Sequence, residues 1–178
     1  MALNNESALL AAARKGDGQA FGELVTNYRL KAFNACLRIT GNHHDAEDAL
    51  QAAVYLAWKN LDKFRGEAGF GTWFYRIASN AAMDLLRRRK EASSLDEDGF
   101  GNEVQLEDST ATFESQLAEN DRLNQALDNL TDESREALVL FAVVGMKIAE
   151  IAKHQDSSVS ATKVRIHRAK KALIPLLA

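Results

Sequence analysis

The only proline in this 178-residue chain is Pro175, so residues 1–174 contain no obligatory helix breaker. Apolar residues instead recur three and four residues apart over long segments, and no alternating pattern typical of strands competes with them. Glycines and short polar runs separate the periodic segments. These features predict an all-α protein.

The first half of the chain is predicted to be a compact bundle of about four helices. A short helix near the start is followed by three apolar stripes, the first from Phe21 to Ile39, with Gly41 ending that helix and residues 42–45 opening the next. The only cysteine, Cys36, lies on this first stripe and is predicted to be a core residue. A single cysteine also excludes a disulfide framework and a cysteine-based metal site.

The net charge of −3 conceals a segregation of charge along the chain. Residues 1–90 carry 13 basic and 9 acidic side chains, whereas residues 122–178 carry 9 basic and 6 acidic side chains. The stretch between them, residues 91–121, carries 10 acidic side chains and no basic one. Because it is also rich in serine, glycine and asparagine, it reads as a self-repelling linker or a solvated spacer.

The domain organisation that follows is two small helical domains joined by an acidic flexible linker. The predicted boundaries are 1–91 for the first domain, 92–118 for the linker and 119–178 for the second domain. Opposite charges would allow the linker to lie against either basic domain.

Several classes of protein are excluded by what the sequence lacks. No apolar run approaches the ~18–20 residues of a membrane span, and the first residues lack the basic and hydrophobic regions of a signal peptide, which predicts a cytoplasmic protein. No nucleophile–base arrangement, phosphate-binding glycine loop or carboxylate pair points to catalysis, so we expect no enzyme and no cofactor. The adjacent His43 and His44 at a helix entry rarely converge on one ion, so no metal site is expected.

Three carboxylates, Asp45, Glu47 and Asp48, open the second long helix. Carboxylates in a first helical turn complement the helix dipole, which accounts for one or two of them. The remainder indicates a surface for a basic partner.

A loop with three glycines, Gly66, Gly69 and Gly71, lies between aromatic residues and leads into a helix that ends in a run of four cations at residues 87–90. Stacking faces, close backbone approach, an amide at Asn80 and phosphate-binding cations are what recognition of single-stranded nucleic acid requires. A packed core with a solvated basic face explains the same pattern, and both interpretations remain open on these residues alone.

The second domain has the pattern of a helix-turn-helix. A helix opened by Thr131 is closed by Gly145, a short helix follows, and a polar break near Ser157 and Ser158 caps a final helix. The outer face of that helix is basic, and the helix is a candidate for the major groove. A basic amphipathic helix also suits an acidic partner.

Together these segments resemble an extracytoplasmic-function (ECF) sigma factor of the bacterial sigma-70 family. The stretch DAEDALQAAVYLAWKNLDKFRGEAGFGTWFYRIASNAAMDLLRRR is similar to region two of that family, and ESREALVLFAVVGMKIAEIAKHQDSSVSATKVRIHRAKKAL is similar to region four. The resemblance implies a region-two bundle and a region-four helix-turn-helix. It also implies a specificity subunit that binds core RNA polymerase through its largest and second-largest subunits and then recognises and melts promoter DNA.

The resemblance implies three sets of site residues. Those implied to dock on the largest polymerase subunit are Asp45, Glu47, Asp48 and Gln51. Those implied to melt and read the minus-ten element are Phe64, Arg65, Gly66, Trp73, Tyr75, Arg76, Asn80, Asp84, Arg87, Arg88, Arg89 and Lys90. Those implied to read the minus-thirty-five element are Ser160, Lys163, Arg165, His167, Arg168 and Lys170.

The chain departs from the family pattern at a few positions. Asp156 replaces the usual turn glycine, which is tolerable because aspartate adopts left-handed conformations better than most residues. His154 stands where an apolar residue is common, and Ala52 where an acidic one is frequent. The family also implies an anti-sigma factor as a regulator. The alternative function is a stand-alone helix-turn-helix regulator, which would need neither the acidic helix nor the glycine-aromatic loop.

Overall fold

The computed structural model describes residues 2–95 and 111–178, and every regular element in those residues is helical, which confirms the predicted all-α class. None of these helices is both long enough and apolar enough to cross a membrane. In chain order they are α1 (Ala2–Arg14), α2 (Gly18–Thr40), α3 (His43–Lys59), α4 (Phe70–Leu95), α5 (Ala111–Asp128), α6 (Asp132–Val139), α7 (Ile148–His154) and α8 (Val159–Leu177).

The first domain is a bundle in which α2, α3 and α4 pack against one another and α1 packs on α2. Its core contains fully buried Leu24 and Ile39 from α2 with Phe70 and Phe74 from α4. Cys36 is also fully buried, with its Sγ 3.6 Å from the carbonyl oxygen of Ala78. Burial raises the pKa of the Cys36 thiol to about 12, as expected for a packing residue.

The α2–α3 corner shows the predicted capping chemistry. Gly41 has φ 77°, a left-handed conformation that glycine adopts without the steric cost of a Cβ. Asn42 then caps α3, because its side-chain oxygen accepts a hydrogen bond from the backbone N–H of Asp45 at 2.8 Å.

The second domain has the predicted helix-turn-helix. Helix α6 continues into a π-helical turn, Leu140–Val144, which Gly145 ends with φ 79°. Between α7 and α8, Asp156 has φ 49°, as expected for the residue that replaces a turn glycine. Ser158 caps α8 by accepting from the N–H of Ala161 at 3.0 Å, and the helix continues through Pro175.

The predicted linker, residues 92–118, is helical at both described ends. Helix α4 continues to Leu95 and α5 begins at Ala111, while residues 96–110 lie outside the described residues. The predicted contact between the acidic linker and a basic domain involves residues 96–110, so it too lies outside the described part of the chain. The two domains touch directly, with α6 and the π-helical turn packed on α2 and α4.

Candidate nucleic-acid interface

The loop between α3 and α4 and the first turns of α4 enclose a small cavity of about 130 Å³. A 3₁₀ turn, Leu61–Lys63, leads into the loop, and Gly66 reverses the chain with φ 77°. Five of the predicted minus-ten residues line the cavity: Phe64, Arg65, Gly66, Trp73 and Arg76. The structure therefore brings these five residues together around one cavity.

The wall of the cavity is an aromatic cluster. The Phe64 ring lies 5.8 Å from that of Phe70 and 5.3 Å from that of Trp73, measured between ring centroids. Phe64 is only 6% exposed, so it supports the wall from the core side. Trp73 is half-buried and presents the accessible aromatic surface.

Polar residues continue from the cavity along one face of α4. Trp73, Arg76, Asn80, Asp84 and Arg87 follow the three- and four-residue spacing of one helix face. Asn80 is exposed, and Asp84 lies 3.8 Å from Arg87 in an exposed ion pair. The Nε of Arg76 is buried and has no hydrogen-bond partner among the described residues.

Tyr75 does not belong to this face. It is 8% exposed and packs edge-on against Tyr28, with the ring centroids 5.9 Å apart, and burial raises the pKa of its hydroxyl. Its predicted place on a DNA-contacting surface disagrees with this burial. Tyr75 directly precedes Arg76, and neighbouring side chains on a helix point about 100° apart, so the two residues lie on different faces of α4.

The basic end of α4 is engaged in intramolecular contacts. Arg89 pairs with Asp45 at 2.7 Å and donates to the carbonyl oxygen of Thr40 at 2.6 Å. Lys90 pairs with Asp132 of α6, in the other domain. Arg88 is exposed and has no ion pair among the described residues.

The acidic start of α3 forms an exposed patch. Asp45 is half-buried, whereas Glu47, Asp48 and Gln51 are exposed. His43 and His44 lie 3.2 Å and 3.6 Å from Glu47 and Asp48, one turn along the helix.

Two large apolar residues beside this patch were not predicted from the sequence as site residues. Leu30 is 72% exposed and Tyr55 is 62% exposed, and each lines a shallow depression that also contains Gln51. The available signal was that both residues fall off the apolar stripes of their helices. Together with the carboxylates, they form a mixed acidic and apolar surface suited to a protein partner.

The predicted minus-thirty-five residues on α8 differ in their exposure and in their contacts. Ser160, Lys163, His167 and Arg168 are exposed, and the Nη1 of Arg165 donates to the side-chain oxygen of Gln155 at 2.6 Å. Lys170 is exposed as well, but its Nζ lies 4.3 Å from the centroid of the Phe141 ring. Among the predicted residues, Arg165 and Lys170 are therefore engaged with other side chains of the second domain.

A second cavity, about 640 Å³ in volume, is an apolar groove between α5, α6 and α8. Its floor is made by leucines and valines from the three helices, and Arg38 and Lys170 stand at its edge. The sequence does not predict this groove, because its lining comes from three separate segments. Its chief lining residues are Leu123, Leu127, Leu138, Val143, Leu173 and Ile174.

A buried polar cluster joins the two domains. Ser79 of α4, fully buried, donates to the Glu136 carboxylate at 2.6 Å, and His154 and Gln155 contact the same carboxylate at 2.9 Å and 2.8 Å. Burial raises the pKa of Glu136, but the hydrogen bonds from His154, Ser79 and Gln155 outweigh it and the net shift is downward. The cluster accounts for a histidine at position 154, where an apolar residue is common in the family.

Comparison with known proteins gives the same division of the chain. Residues 24–92 match the family described as Sigma-70 region 2, and residues 120–173 match Sigma-70, region 4. A curated relative, the ECF RNA polymerase sigma factor SigW of Bacillus subtilis (strain 168), is 34% identical over 90% of this chain and 90% of its own. The chain belongs to the ECF group of the sigma-70 family.

Other relatives are similar to this sigma factor over nearly its whole length. The ECF RNA polymerase sigma-E factor of Escherichia coli (strain K12) is 32% identical, covering 94% of this chain and 92% of its own. The structure of CnrH in complex with the cytosolic domain of CnrY has a TM-score of 0.73 at 31% identity and covers 97% of both chains. The sigma factor RpoE in complex with the anti-sigma factor NepR from Bartonella quintana shares the fold, with a TM-score of 0.70 at 22% identity over 88% of this chain and 96% of its own. The chain is thus an ECF sigma factor, a non-enzymatic specificity subunit.

Proposed function

We propose that residues 64–90 of this sigma factor read the minus-ten promoter element and hold a flipped base in the cavity beside the glycine loop. The observation that carries the proposal is the lining of this cavity, where Arg76, whose buried Nε has no hydrogen-bond partner among the described residues, lies with Trp73 and the glycine loop. The charged guanidinium of a residue lining the cavity would bind a phosphate or a base edge through charge-assisted hydrogen bonds. Extruding a base costs a few kcal/mol, offset here by stacking on Trp73 and by contacts with Asn80.

The exposed face of α8 is proposed to read the minus-thirty-five element in the major groove. Ser160, Lys163, His167 and Arg168 lie on that exposed face, and the helix follows a capped turn, as in other helix-turn-helix proteins. Lys170 belongs instead to the edge of the apolar groove, where its cation contacts Phe141. We place the promoter-reading parts in the predicted domains, 1–91 and 119–178, with the linker over 92–118.

Core RNA polymerase is proposed to bind at two surfaces. The carboxylates at the start of α3, with Leu30 and Tyr55 beside them, suit a basic and apolar surface of the largest subunit. The apolar groove of the second domain suits one amphipathic helix of the second-largest subunit, and its edge cations favour an acidic flank on that helix. Such a protein works in the cytoplasm, where the polymerase is.

An anti-sigma factor is proposed as the regulator. The support is that a structure sharing this fold is of a sigma factor bound to the anti-sigma factor NepR. The CnrH structure, at 31% identity, likewise contains a bound partner, the cytosolic domain of CnrY.

Reconstitution with core polymerase tests the proposal. The full chain should direct run-off transcription from a supercoiled promoter, and Asn80→Ala should impair strand opening, measured by permanganate reactivity of unpaired thymines, more than duplex binding. An equal loss in both assays would argue against a base-binding cavity. Tight duplex binding without any binding to core polymerase would instead favour a stand-alone regulator.

A further inference from the structure

Helix α1 contacts the wall of the proposed base-binding cavity. The guanidinium of Arg14, the last residue of α1, donates a hydrogen bond to the backbone carbonyl oxygen of Phe64, 50 residues further along the chain. The Cζ of Arg14 also lies 5.6 Å from the centroid of the Phe64 ring, within the range of a cation–π contact. One cation therefore holds both the backbone and the ring of the residue that opens the glycine loop.

The carbonyl group of Phe64 sets the direction in which the loop leaves the 3₁₀ turn. Because a trans peptide unit is planar, the direction of this carbonyl also fixes the N–H of Arg65, which points the opposite way. The N–H of Phe64 donates to the carbonyl oxygen of Leu61 at 3.2 Å, so both backbone groups of Phe64 are engaged. Arg14 thus restrains the start of the loop from a separate helix.

A second contact from α1 supports the start of α4. The carboxylate of Glu6 accepts a hydrogen bond from the hydroxyl of Tyr28. The ring of Tyr28 lies 5.7 Å from that of Phe70, measured between centroids, and occupies the space beside Gly71. Phe70 and Gly71 are the first two residues of α4. Helix α1 therefore supports both segments that enclose the cavity, the loop and the first turn of α4.

Arg14 does not itself line the cavity. The described residues that line it are 63–68, Trp73 and Arg76. Helix α1 also precedes residues 24–92, the part of the chain that matches Sigma-70 region 2. A side chain in this place can set the shape of the wall without touching a bound base.

We propose that Arg14 is a positioning residue for the base-binding cavity, an assignment that rests on the proposed function of residues 64–90. Phe64 is 6% exposed and its ring centroid lies 5.3 Å from that of Trp73, so a displaced Phe64 also displaces the accessible aromatic surface. Binding sites depend on such support, because their groups must be held to within about 0.5 Å of the productive geometry. Arg14 holds the Phe64 carbonyl and ring in the arrangement that receives the flipped base.

Trypsin digestion of the full chain measures the order of the loop without any DNA, because Arg65 is a cleavage site within it. Arg14→Met keeps an unbranched side chain but removes the donor and the charge, so cleavage after Arg65 should become about 3- to 10-fold faster. Lys15→Met makes a similar change at the next residue, which is also exposed, and should leave the rate unchanged. Circular dichroism checks that both variants keep their helices.

Binding of a single-stranded oligonucleotide to the assembled holoenzyme measures the cavity itself. The probe carries the non-template strand of the minus-ten element and is followed by fluorescence anisotropy. Arg14→Met should raise its Kd about tenfold, as expected if the stacking of one base is lost, and should leave the Kd for core polymerase unchanged. Arg14→Lys keeps the charge and a donor and should restore most of the affinity, and Lys15→Met should match the natural chain.

An unchanged rate of cleavage after Arg65 in Arg14→Met would overturn the proposal, as would an oligonucleotide Kd equal to that of the natural chain. Equal losses of oligonucleotide and polymerase binding would overturn it too, because Arg14 would then support the whole first domain. If no chain binds the oligonucleotide while cleavage accelerates only in Arg14→Met, the proposed function fails and the positioning of the loop by Arg14 stands.

Discussion

Arg89 links two surfaces that the family resemblance assigns to different ligands. Its Nη1 lies 2.7 Å from the carboxylate of Asp45, a residue proposed to bind polymerase, although Arg89 itself is proposed to bind DNA. Its Nη2 meanwhile donates to the Thr40 carbonyl oxygen at 2.6 Å, at the end of α2. The proposed DNA surface and the proposed polymerase surface are therefore in direct contact through this ion pair.

This contact predicts different behaviour for two neighbouring arginines. Arg89→Ala should lower the free energy of unfolding by about 0.5–1.5 kcal/mol, since it removes an ion pair and a backbone hydrogen bond. Arg88→Ala, at an exposed position, should leave it unchanged. Each should reduce the salt slope of promoter binding by about 1 if it removes one phosphate contact. Equal unfolding midpoints for the two variants in urea would contradict the structural role of Arg89.

Gly71 has no room for a side chain. A Cβ built there would lie 2.5 Å from Cε1 of Tyr28, a ring fixed against Phe70 and Tyr75. We expect Gly71→Ala to destabilise the fold by about 1–3 kcal/mol through overpacking, measured by thermal unfolding. Gly69→Ala is the matched control, because nothing lies within 4 Å of a Cβ there. A loss of stability in the control alone would refute this account.

Arg76→Gln tests the cavity without removing the bulk of the side chain. The substitution removes the unpartnered Nε and the positive charge, so permanganate reactivity at the minus-ten element should fall about tenfold or more. Binding to core polymerase should remain at the natural level, because the part of α4 that contacts the acidic start of α3 is at Arg89, about 20 Å further along the helix than Arg76. A matched loss of polymerase binding would show that the variant perturbs the whole first domain.

Local chemistry was predictable from the sequence, and contacts between distant segments were not. Gly41, Asn42, Asp156 and Ser158 act on backbone groups a few residues away, so residue type alone indicates their roles. By contrast, Glu136 bonds with Ser79, which is 57 residues away in the sequence. Arg135 donates to the carbonyl oxygen of Arg38, which is 97 residues away. From the sequence alone, a charged residue in a helical pattern is expected to be exposed to solvent, because the element that buries it is distant in the chain.

The candidate site shows the same difference between features set by local sequence and features set by long-range packing. Trp73, Arg76 and Asn80 share one face of α4, and their spacing in the sequence is enough to show this because helical periodicity is a local property. Tyr75 was included by its position in a motif, and its burial depends on packing against Tyr28 from another helix. The apolar groove depends on three helices, so only the assembled second domain reveals it.

Ser158 and Ser160 separate folding from DNA contact in α8. Ser158→Ala removes the cap on the Ala161 N–H and should cost about 1 kcal/mol of stability. Ser160→Ala, at an exposed helical position, should leave stability unchanged and weaken binding to minus-thirty-five duplex only. Thermal unfolding and fluorescence anisotropy with a short duplex measure the two effects. The assignment fails if Ser160→Ala lowers stability as much as Ser158→Ala does.

The pKa of Glu136 predicts how the domain contact responds to acid. A pKa lowered from the usual 4.5 means that the folded state binds this proton more weakly than the unfolded state. Its stabilising contribution is therefore complete at neutral pH. It begins to disappear as the pH falls below about 4.5, and it is gone once the pH has passed the folded pKa.

Glu136→Gln should accordingly reduce stability by about 1–3 kcal/mol at pH 7, because a charged acceptor of three hydrogen bonds becomes neutral. Below pH 4.5 the variant should lose stability with a shallower slope than the natural chain, since it has no proton to take up at that site. Urea titrations at pH 7, 5, 4 and 3 measure both effects, and Glu133→Gln, an exposed position in the same helix, is the control. Parallel slopes for the natural chain and Glu136→Gln would mean that the carboxylate is not held in its charged form by Ser79, His154 and Gln155.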